Sequence, residues 1–430
     1  MESILQFHDK YDVDDSIMSY EYHEYQPISG TQLNSAGQIT ITIENQDEFF
    51  HPRRSYLVVE GKLVKENNTP YVDDDMIPLT NNGIMFLFSN LKYDLSGQEI
   101  ESVNHPGQAS TLLGMVKYSP NFSKGPGMNQ CWYPDTSNEA AVANSGFTVR
   151  HSYLIQKPNP KGTFSFAIDL EHMLGFCEDY EKVIYGFRHT LTLVRTSNSN
   201  AIYRAAGVDE GKTELTKIAW MMPRVQPSDV KKFTLYKSIE SKSTLESAFR
   251  MRQCDMISLP ATSSFTWRLG VRSAPEKPRY IIIGLQTAKS GQQERNPAIF
   301  DHCNTTNMYV VLNSTRYPAT DFNANFTKNQ YSRFYKELVD FRLKYYGIDT
   351  MLGNTCVHPN TYKELFPLFV FDVSKQSERL NQGVVDITVK MEFGENVRVD
   401  TDAYAVVISD RVLKFQSDGK KMNVVFQKLM

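Results

Sequence analysis

One short stretch of this sequence has the residue types of a phosphate-binding loop. It runs Gly207-Val-Asp-Glu-Gly-Lys-Thr213. A Walker loop needs four residues between its glycines, because backbone N–H groups and the lysine must surround the phosphates at the start of a helix. This stretch has three residues between its glycines and lacks the strand-to-helix context. The spacing therefore favours a charged turn between two strands.

Metal-ligand residue types occur at several positions. His302-Cys303 and Cys356-Val-His358 could together supply nitrogen and sulfur ligands for zinc. Neither pair has the spacing of a structural zinc site, so we interpret them as loop or core residues. The runs Asp73-Asp74-Asp75 and Asp12-Val-Asp-Asp15 lack the glycine and distal glutamate of an EF-hand loop. We predict no metal, no cofactor and no cofactor-binding residues.

Residues for catalysis are not grouped in a pattern that the sequence can identify. There is no Gly-x-Ser-x-Gly nucleophile elbow for an acyl hydrolase. A carboxylate pair for glycoside hydrolysis stays an open alternative, because such a pair forms in space rather than in sequence. Tyrosine and tryptophan on a β-sandwich can also bind sugars, and the chain has three tryptophans. We predict that the protein is not an enzyme and name no catalytic residues, with a carbohydrate-binding protein or glycosidase as the alternative.

The composition limits the possible partners and compartments. The net charge of −3 over 430 residues gives no electrostatic footprint for nucleic acid, so we predict no sequence-specific nucleic-acid binding. No apolar run is long enough for a transmembrane helix. Residues 1–9 lack the layout of a signal peptide. Five scattered cysteines predict reduced thiols and folding inside the cell, without secretion.

The elements that would position any site are mostly short strands. Residues 39–43 and 163–170 alternate apolar and polar side chains, as expected for half-buried strands. Further strands of the first half are predicted at 56–65, 84–95, 188–195 and 217–222. A stretch rich in Pro, Gly, Asn and Ser, about 104–160, is predicted to be a long loop with one short helix near 108–116. Pro223 to Pro227 breaks the pattern and predicts a domain boundary.

The second half repeats this arrangement. A strand is predicted over 232–238, followed by a short helix that begins at the capping-box residues Ser243-Thr-Leu-Glu246. One long amphipathic helix is predicted over 328–346, with Gly347 at its C-terminal cap. Further strands are predicted at 251–259, 279–286, 308–313, 368–372, 385–393 and 403–415. The two runs of short strands indicate a mainly β chain of two β-sandwiches in tandem.

Both ends of the chain have a distinct composition. Residues 1–35 form an N-terminal arm in which acidic groups alternate with tyrosines. Such an arm is either a solvated terminus or a segment whose tyrosines order on a neighbouring subunit. Residues 416–430 form a C-terminal tail, within a basic region that starts at Arg411. A solubilising tail is favoured over a contact with nucleic acid or an acidic neighbour.

Several segments, in order, resemble the double jelly-roll major capsid proteins of large eukaryotic DNA viruses, virophages, adintoviruses and Polinton (Maverick) elements. The resemblance is strongest where an apolar strand, a long loop and a Phe-Asp-His turn precede a short strand and Asn313-Ser-Thr-Arg316. The chain is short for that family and residues 377–383 lack the Pro-Ser-Gly turn of its large-virus members, which favours a small-genome member. The segments that carry the resemblance are 168–176, 183–186, 190–193, 279–286, 299–302, 308–316, 368–372, 377–383, 385–392 and 403–410.

The resemblance implies two tandem eight-stranded jelly rolls, at 36–224 and 225–415, with one long helix in the second. The 104–160 loop would be a tower or a trimer contact. Three chains would form a pseudo-hexameric capsomer that contacts neighbouring capsomers and a minor (penton) capsid protein. The shell would be icosahedral and enclose a DNA genome, and the protein would be assembled in the cytoplasm or nucleus of the host before residing in the virion capsid. The family carries no catalytic residues.

Overall fold

A computed structural model describes residues 16–156, 160–241, 244–270, 277–348, 355, 357–375, 385–417 and 422–426. The chain forms two β-sandwiches in tandem, and each consists of two antiparallel sheets that face one another across an apolar core. This is the double jelly roll that the strand pattern and the resemblance predicted.

The first jelly roll contains ten of the described strands. One sheet has the order β7-β4-β10-β3-β8, with β1 also paired to β10, and the other has the order β2-β9-β5-β6. The strands are β1 (Ile17–Tyr25), β2 (Gly37–Ile43), β3 (Phe49–Phe50), β4 (Tyr56–Lys65), β5 (Phe88–Leu95), β6 (Gln98–Asn104), β7 (Thr163–Asp169), β8 (Ile184–Tyr185), β9 (His189–Arg195) and β10 (Gly211–Pro227).

The second jelly roll contains nine described strands. One sheet has the order β11-β18-β13-β16, with β19 paired to β18, and the other has the order β12-β17-β14-β15. The strands are β11 (Thr244–Leu259), β12 (Ser264–Arg268), β13 (Lys277–Thr287), β14 (Thr305–Leu312), β15 (Thr315–Tyr317), β16 (Phe369–Asp372), β17 (Ile387–Phe393), β18 (Thr401–Ser417) and β19 (Met422–Phe426). Short added strands bring both jelly rolls above the eight that were predicted.

Seven α-helices connect the strands among the described residues. They are α1 (Pro106–Lys117), α2 (Ser145–His151), α3 (Leu170–Met173), α4 (Gly175–Asp179), α5 (Asp229–Glu240), α6 (Ser332–Tyr346) and α7 (Pro359–Glu364). The helix α6 is the long amphipathic helix that was predicted, and its C-cap residue Gly347 has the left-handed φ of 66°. None of the described helices is long and apolar enough to cross a membrane.

Apolar residues at every second position of the strands are the buried ones, as the sequence pattern predicted. Ile39, Ile41 and Ile43 on β2 are fully buried, whereas the threonines between them are half-buried. The same alternation holds along β17, where Ile387, Val389, Met391 and Phe393 face the core. Apolar burial at about 25 cal/mol per Å² is the main stabilising contribution of such strands.

Two local predictions at the start of the second half were wrong. Residues 232–238 lie in α5, because Lys232, Leu235, Tyr236 and Ile239 are half-buried at helical spacing, and so short a run fits either period. The helix predicted from Ser243-Thr-Leu-Glu246 is absent from its described part, since Thr244 to Leu259 pairs with β18 along its whole length. Sheet pairing over sixteen residues overrides the local capping signal.

The predicted arm is in part a strand of the first jelly roll. Residues 17–25 form β1, which pairs antiparallel with residues 220–227 of the same chain. Pairing within the chain therefore orders residues 17–25, so the interpretation of this part as a solvated end is wrong. A contact of its exposed tyrosines with a neighbouring subunit remains a prediction. Residues 1–15 lie outside the described part, as do 377–383, Cys356 and residues 418–421 and 427–430 of the predicted tail. The described part of that tail is strand instead, because residues 422–426 form β19 and pair with the end of β18.

The interval 104–160 differs from the long loop that was predicted. It contains α1, near the helix predicted at 108–116, and also α2 and a π-helical turn at Ser152–Gln156. Every residue of α1 is buried. The sequence signal failed because α1 contains two glycines and lies in a stretch rich in loop-forming residues. A tower or trimer contact remains a prediction for the exposed parts of this interval.

Candidate functional site

An extensive polar site among the described residues lies between the two jelly rolls. We call it the interdomain seam. The first jelly roll contributes acidic residues from β6 and from α4, and a lysine at the end of α1. The second contributes arginines from β11 and tyrosines from the end of α6. The seam determines how the two jelly rolls stand relative to one another.

Glu178 is the central residue of the seam. Lys117 donates to its carboxylate at 2.7 Å and the Tyr345 hydroxyl donates at 2.8 Å. The Arg252 guanidinium makes an ion pair with the same carboxylate. The side chains of Glu178, Lys117 and Arg252 are only 12%, 2% and 3% exposed. A carboxylate this deeply buried needs such partners, because an unpaired buried charge is very costly.

Two charges of the seam, Glu178 and Arg252, stabilise one another, whereas burial and the neighbouring Arg252 lower the pKa of Lys117 to about 7. Burial alone raises the pKa of Glu178, but Lys117 and Arg252 outweigh that effect and hold the pKa well below its usual range. Burial lowers the pKa of Arg252, and the Glu178 carboxylate reverses this and raises it above its ordinary value. Both groups are therefore ionised near neutral pH, and the ion pair joins α4 of the first jelly roll to β11 of the second.

A second ion pair lies next to the first. Arg250 pairs with Asp179 and donates to the carbonyl oxygen of Tyr345 at 3.0 Å. Its guanidinium lies 3.7 Å from the centroid of the Tyr345 ring, in cation–π geometry. Arg342 donates to the carbonyl oxygen of Lys117 at 3.0 Å. Arginine suits these positions because its planar group can bond and stack at the same time.

Glu101 on β6 anchors the backbone of both jelly rolls. It is fully buried and accepts hydrogen bonds from the backbone N–H groups of Phe176 (2.8 Å) and Arg252 (2.7 Å). It also accepts from the N–H of Gly175 at 3.1 Å. A Cβ on Gly175 would lie 1.8 Å from the carbonyl oxygen of Arg250, so only glycine allows the two backbones to approach this closely.

The loop that follows β13 makes a further contact between the jelly rolls. The Gln293 side chain donates to the carbonyl oxygen of Gly211 at 2.6 Å and accepts from its N–H at 2.9 Å. Asn296 donates to Asp135 at 2.9 Å, and Arg204 pairs with Glu294 at 2.8 Å. This polar loop therefore forms hydrogen bonds with the backbone at the start of β10, as a neighbouring strand would.

The residues singled out in the sequence do not assemble into a chemical site. Ala206 and Gly207 lie in a turn, Val208 in a bend, and Gly211 to Thr213 begin β10, so the stretch leads into a strand and not into the helix that a phosphate loop needs. His302 stacks on Phe326 at 4.5 Å, and its Nδ1 accepts from the N–H of Asn304. His358 caps α7 through the N–H of Asn360.

The cysteines, the clustered acidic and histidine residues and the tryptophans also have structural surroundings that explain them. Cys131, Cys177, Cys254 and Cys303 are free thiols, and burial raises the pKa of each of them. Within the described ranges, the one group of three clustered metal-ligand types is Asp169, Glu171 and His172. Arg53 lies 3.7 Å from Glu171, and Gln130 lies 2.6 Å from His172 Nδ1, so two of the three already have partners. All three tryptophans of the chain are buried: Trp132, Trp220 and Trp267.

The tandem arrangement of two sandwiches around this seam defines a double jelly-roll protein. A family model described as "Double jelly roll-like domain" matches residues 77–413, and the chain belongs to this family. No curated protein sequence matches the chain.

Solved structures share this fold at low sequence identity. A chain of the cryo-EM structure of the Sputnik virophage has a TM-score of 0.62 and 10% identity, over 99% of this chain and 92% of that one. The Faustovirus major capsid protein has a TM-score of 0.54 and 8% identity, over 99% and 94%. The mavirus major capsid protein has a TM-score of 0.53 and 10% identity, over 99% and 93%. These similarities establish the double jelly-roll fold of the described chain.

Proposed function

We propose that the protein is a structural major capsid protein whose homotrimers form pseudo-hexameric capsomers of an icosahedral shell around a DNA genome. The observation that carries the proposal is the interdomain seam, which joins two jelly rolls into one building block by buried ion pairs. Three such blocks place six similar sandwiches around one axis. The capsid proteins of Faustovirus and mavirus, which share the fold along almost their entire length, support this role.

A purely mechanical role agrees with the chemistry of the described residues. Several of their buried charges serve contacts between the jelly rolls, and the seam holds Glu178 with three donors of its own chain. We propose that the protein is not an enzyme and uses no cofactor. Its partners are two further copies in the trimer, then neighbouring capsomers and a minor (penton) protein, in a virion assembled inside the host cell.

The carbohydrate-binding or glycosidase alternative receives no support from the tryptophans. A sugar platform needs exposed aromatic faces, and all three tryptophans contribute to the core instead. The aromatic pairs of Trp220 and Trp132, with Tyr93 and Tyr118, are edge-to-face contacts inside the sandwich.

The test is the mass and shape of the purified chain in solution. Three copies of 49.2 kDa give about 148 kDa. We expect light scattering to report that mass and negative-stain images to show hexagonal outlines, because closed symmetry is the usual form of a homo-oligomer. A species of 49.2 kDa that persists on concentration would contradict the proposal. Addition of simple sugars should leave the melting temperature unchanged, whereas a clear rise would favour the alternative.

A further inference from the structure

The helix α5 has an unusual position for an element between two jelly rolls. It runs from Asp229 to Glu240 and contains no buried residue. Its inner face rests on the first jelly roll through Tyr236, whose ring centroid lies 5.4 Å from that of Tyr185 and 6.2 Å from that of Phe49. Most helices of globular proteins gain their stability by burying an apolar face, which α5 achieves only in part.

The outer face of α5 exposes large apolar side chains. Val230 is 76% exposed and Phe233 is 71% exposed, and they lie one turn apart on the same side of the helix. Lys231 and Lys237 are exposed on the same helix. Within the part of the chain that the structure describes, neither lysine has an ion-pair partner. An apolar pair flanked by unpaired lysines is a surface suited to an acidic segment with apolar residues.

The N-terminal segment leaves the described structure beside this surface. The N–H of Ser228, the N-cap residue of α5, donates to the carbonyl oxygen of Ser16 at 2.9 Å. Residues 1–15 therefore start within one hydrogen bond of the helix. Fifteen residues can reach about 50 Å when extended, whereas a helix of twelve residues is about 18 Å long. The segment is long enough to cover the whole outer face of α5.

The chemistry of residues 1–15 complements that surface. Asp9, Asp12, Asp14 and Asp15 lie in the part of the segment nearest to Ser16, with Lys10 as the one basic side chain among them. Ile4, Leu5 and Phe7 form an apolar group further from Ser16. Carboxylates facing Lys231 and Lys237, and apolar residues on Val230 and Phe233, would give these four exposed side chains of α5 partners.

We propose that residues 1–15 bind the outer face of α5 in the same chain, with Ile4, Leu5 and Phe7 covering Val230 and Phe233. This assignment concerns α5 alone and holds whether or not the capsomer proposal is correct.

Cysteine cross-linking tests the contact directly. The double variant Phe7→Cys and Phe233→Cys should form a disulfide under mild oxidation, and mass spectrometry of the digest should show it within one chain. Phe7→Cys with Val399→Cys is the matched control, because Val399 is a 73% exposed apolar residue of the second jelly roll and should not cross-link. A disulfide between two chains would overturn the proposal in favour of a second copy, and so would equal cross-linking in the control.

Hydrogen exchange of the full chain provides the second test. Deletion of residues 2–15 should make the amides of α5 exchange at least tenfold faster, while the amides of β10 and β18 stay unchanged. A high salt concentration should reproduce part of the effect, because it screens the carboxylates from the lysines. Unchanged exchange of α5 after the deletion would overturn the proposal. Binding of anionic lipid vesicles to the intact chain through α5 would overturn it as well.

Discussion

At the scale of single residues, Glu178 shows how one side chain can join two domains. Its three partners lie 61, 74 and 167 positions away in the sequence, at Lys117, Arg252 and Tyr345. No local spacing can indicate such a group. The sequence predicted no functional site. Of the residues considered there, Gly207 lies in a turn, His302 stacks on Phe326 and His358 caps α7. The seam was unpredictable because it exists only after both jelly rolls have formed.

Replacing Glu178 should destabilise the protein strongly. Glu178→Gln removes the buried ion-pair partner of the Arg252 guanidinium, and loss of one partner of a buried ion pair costs about 3–5 kcal/mol. Urea unfolding followed by fluorescence would measure the change. The matched control is Glu24→Gln, which breaks a Glu24–Lys217 pair whose side chains are 35% and 34% exposed and should cost no more than about 1 kcal/mol. Equal losses in the two variants would contradict a special role for Glu178.

A buried histidine should make the stability sensitive to acid. His189 is fully buried with its Nδ1 at 2.7 Å from the Tyr93 hydroxyl, and burial lowers its pKa from 6.5 to about 3. The unfolded chain takes up a proton below pH 6.5 and the folded chain does not, so stability falls as the pH falls between these values. From pH 7 to pH 5 this residue should remove about 2 kcal/mol.

The variant His189→Gln isolates this contribution. Glutamine can still bond to Tyr93 but does not titrate, so the variant should lose about 2 kcal/mol less than the parent chain between pH 7 and pH 5. Urea midpoints at both pH values give the comparison. The remaining histidines are common to both proteins and cancel in the difference. Parallel pH profiles would show that His189 does not cause the acid sensitivity.

At the scale of elements, the reliability of the sequence pattern depended on length and on context. The helix α6 was predicted because its apolar residues recur at spacings of three and four. Four of them, Phe334, Leu338, Phe341 and Tyr345, are buried in the structure. The helix α5 was mistaken for a strand because its short half-buried face fits both periods. The helix α1 is buried on all sides and has no polar face, so amphipathicity could not define its bounds.

The contact between α4 and β11 depends on a glycine. A Cβ at Gly175 would meet the carbonyl oxygen of Arg250 at 1.8 Å, so Gly175→Ala must push the two backbones apart. We expect a loss of about 2 kcal/mol in the free energy of unfolding, as for overpacked cores. Gly394→Ala is the control, since no atom lies closer than 3.4 Å to its added Cβ, and it should change stability by less than about 0.5 kcal/mol. A Gly175→Ala protein as stable as the parent would show that the backbones of α4 and β11 can move apart without loss of stability.

At the scale of the whole molecule, the order of strands was predictable and the joint between the jelly rolls was not. Alternating apolar residues predicted most of the strands in both sandwiches, because each sheet face must be buried. The position of one sandwich against the other depends on Glu101, Gln293 and Asn296, whose partners lie in distant segments. Register within a sandwich follows from a short-range pattern, whereas docking between sandwiches follows from individual polar contacts.

These contacts should make the two jelly rolls unfold together. Glu178, Glu101 and Gln293 each bond to the opposite jelly roll, so neither sandwich can open without exposing buried polar groups of the other. We expect one calorimetric transition for the parent chain. The double variant Glu178→Gln and Gly175→Ala should separate it into two transitions, one for each jelly roll. Scans at two protein concentrations would distinguish this from subunit dissociation, which alone shifts with concentration. Two transitions in the parent chain would mean that the seam aligns the jelly rolls without coupling their stability.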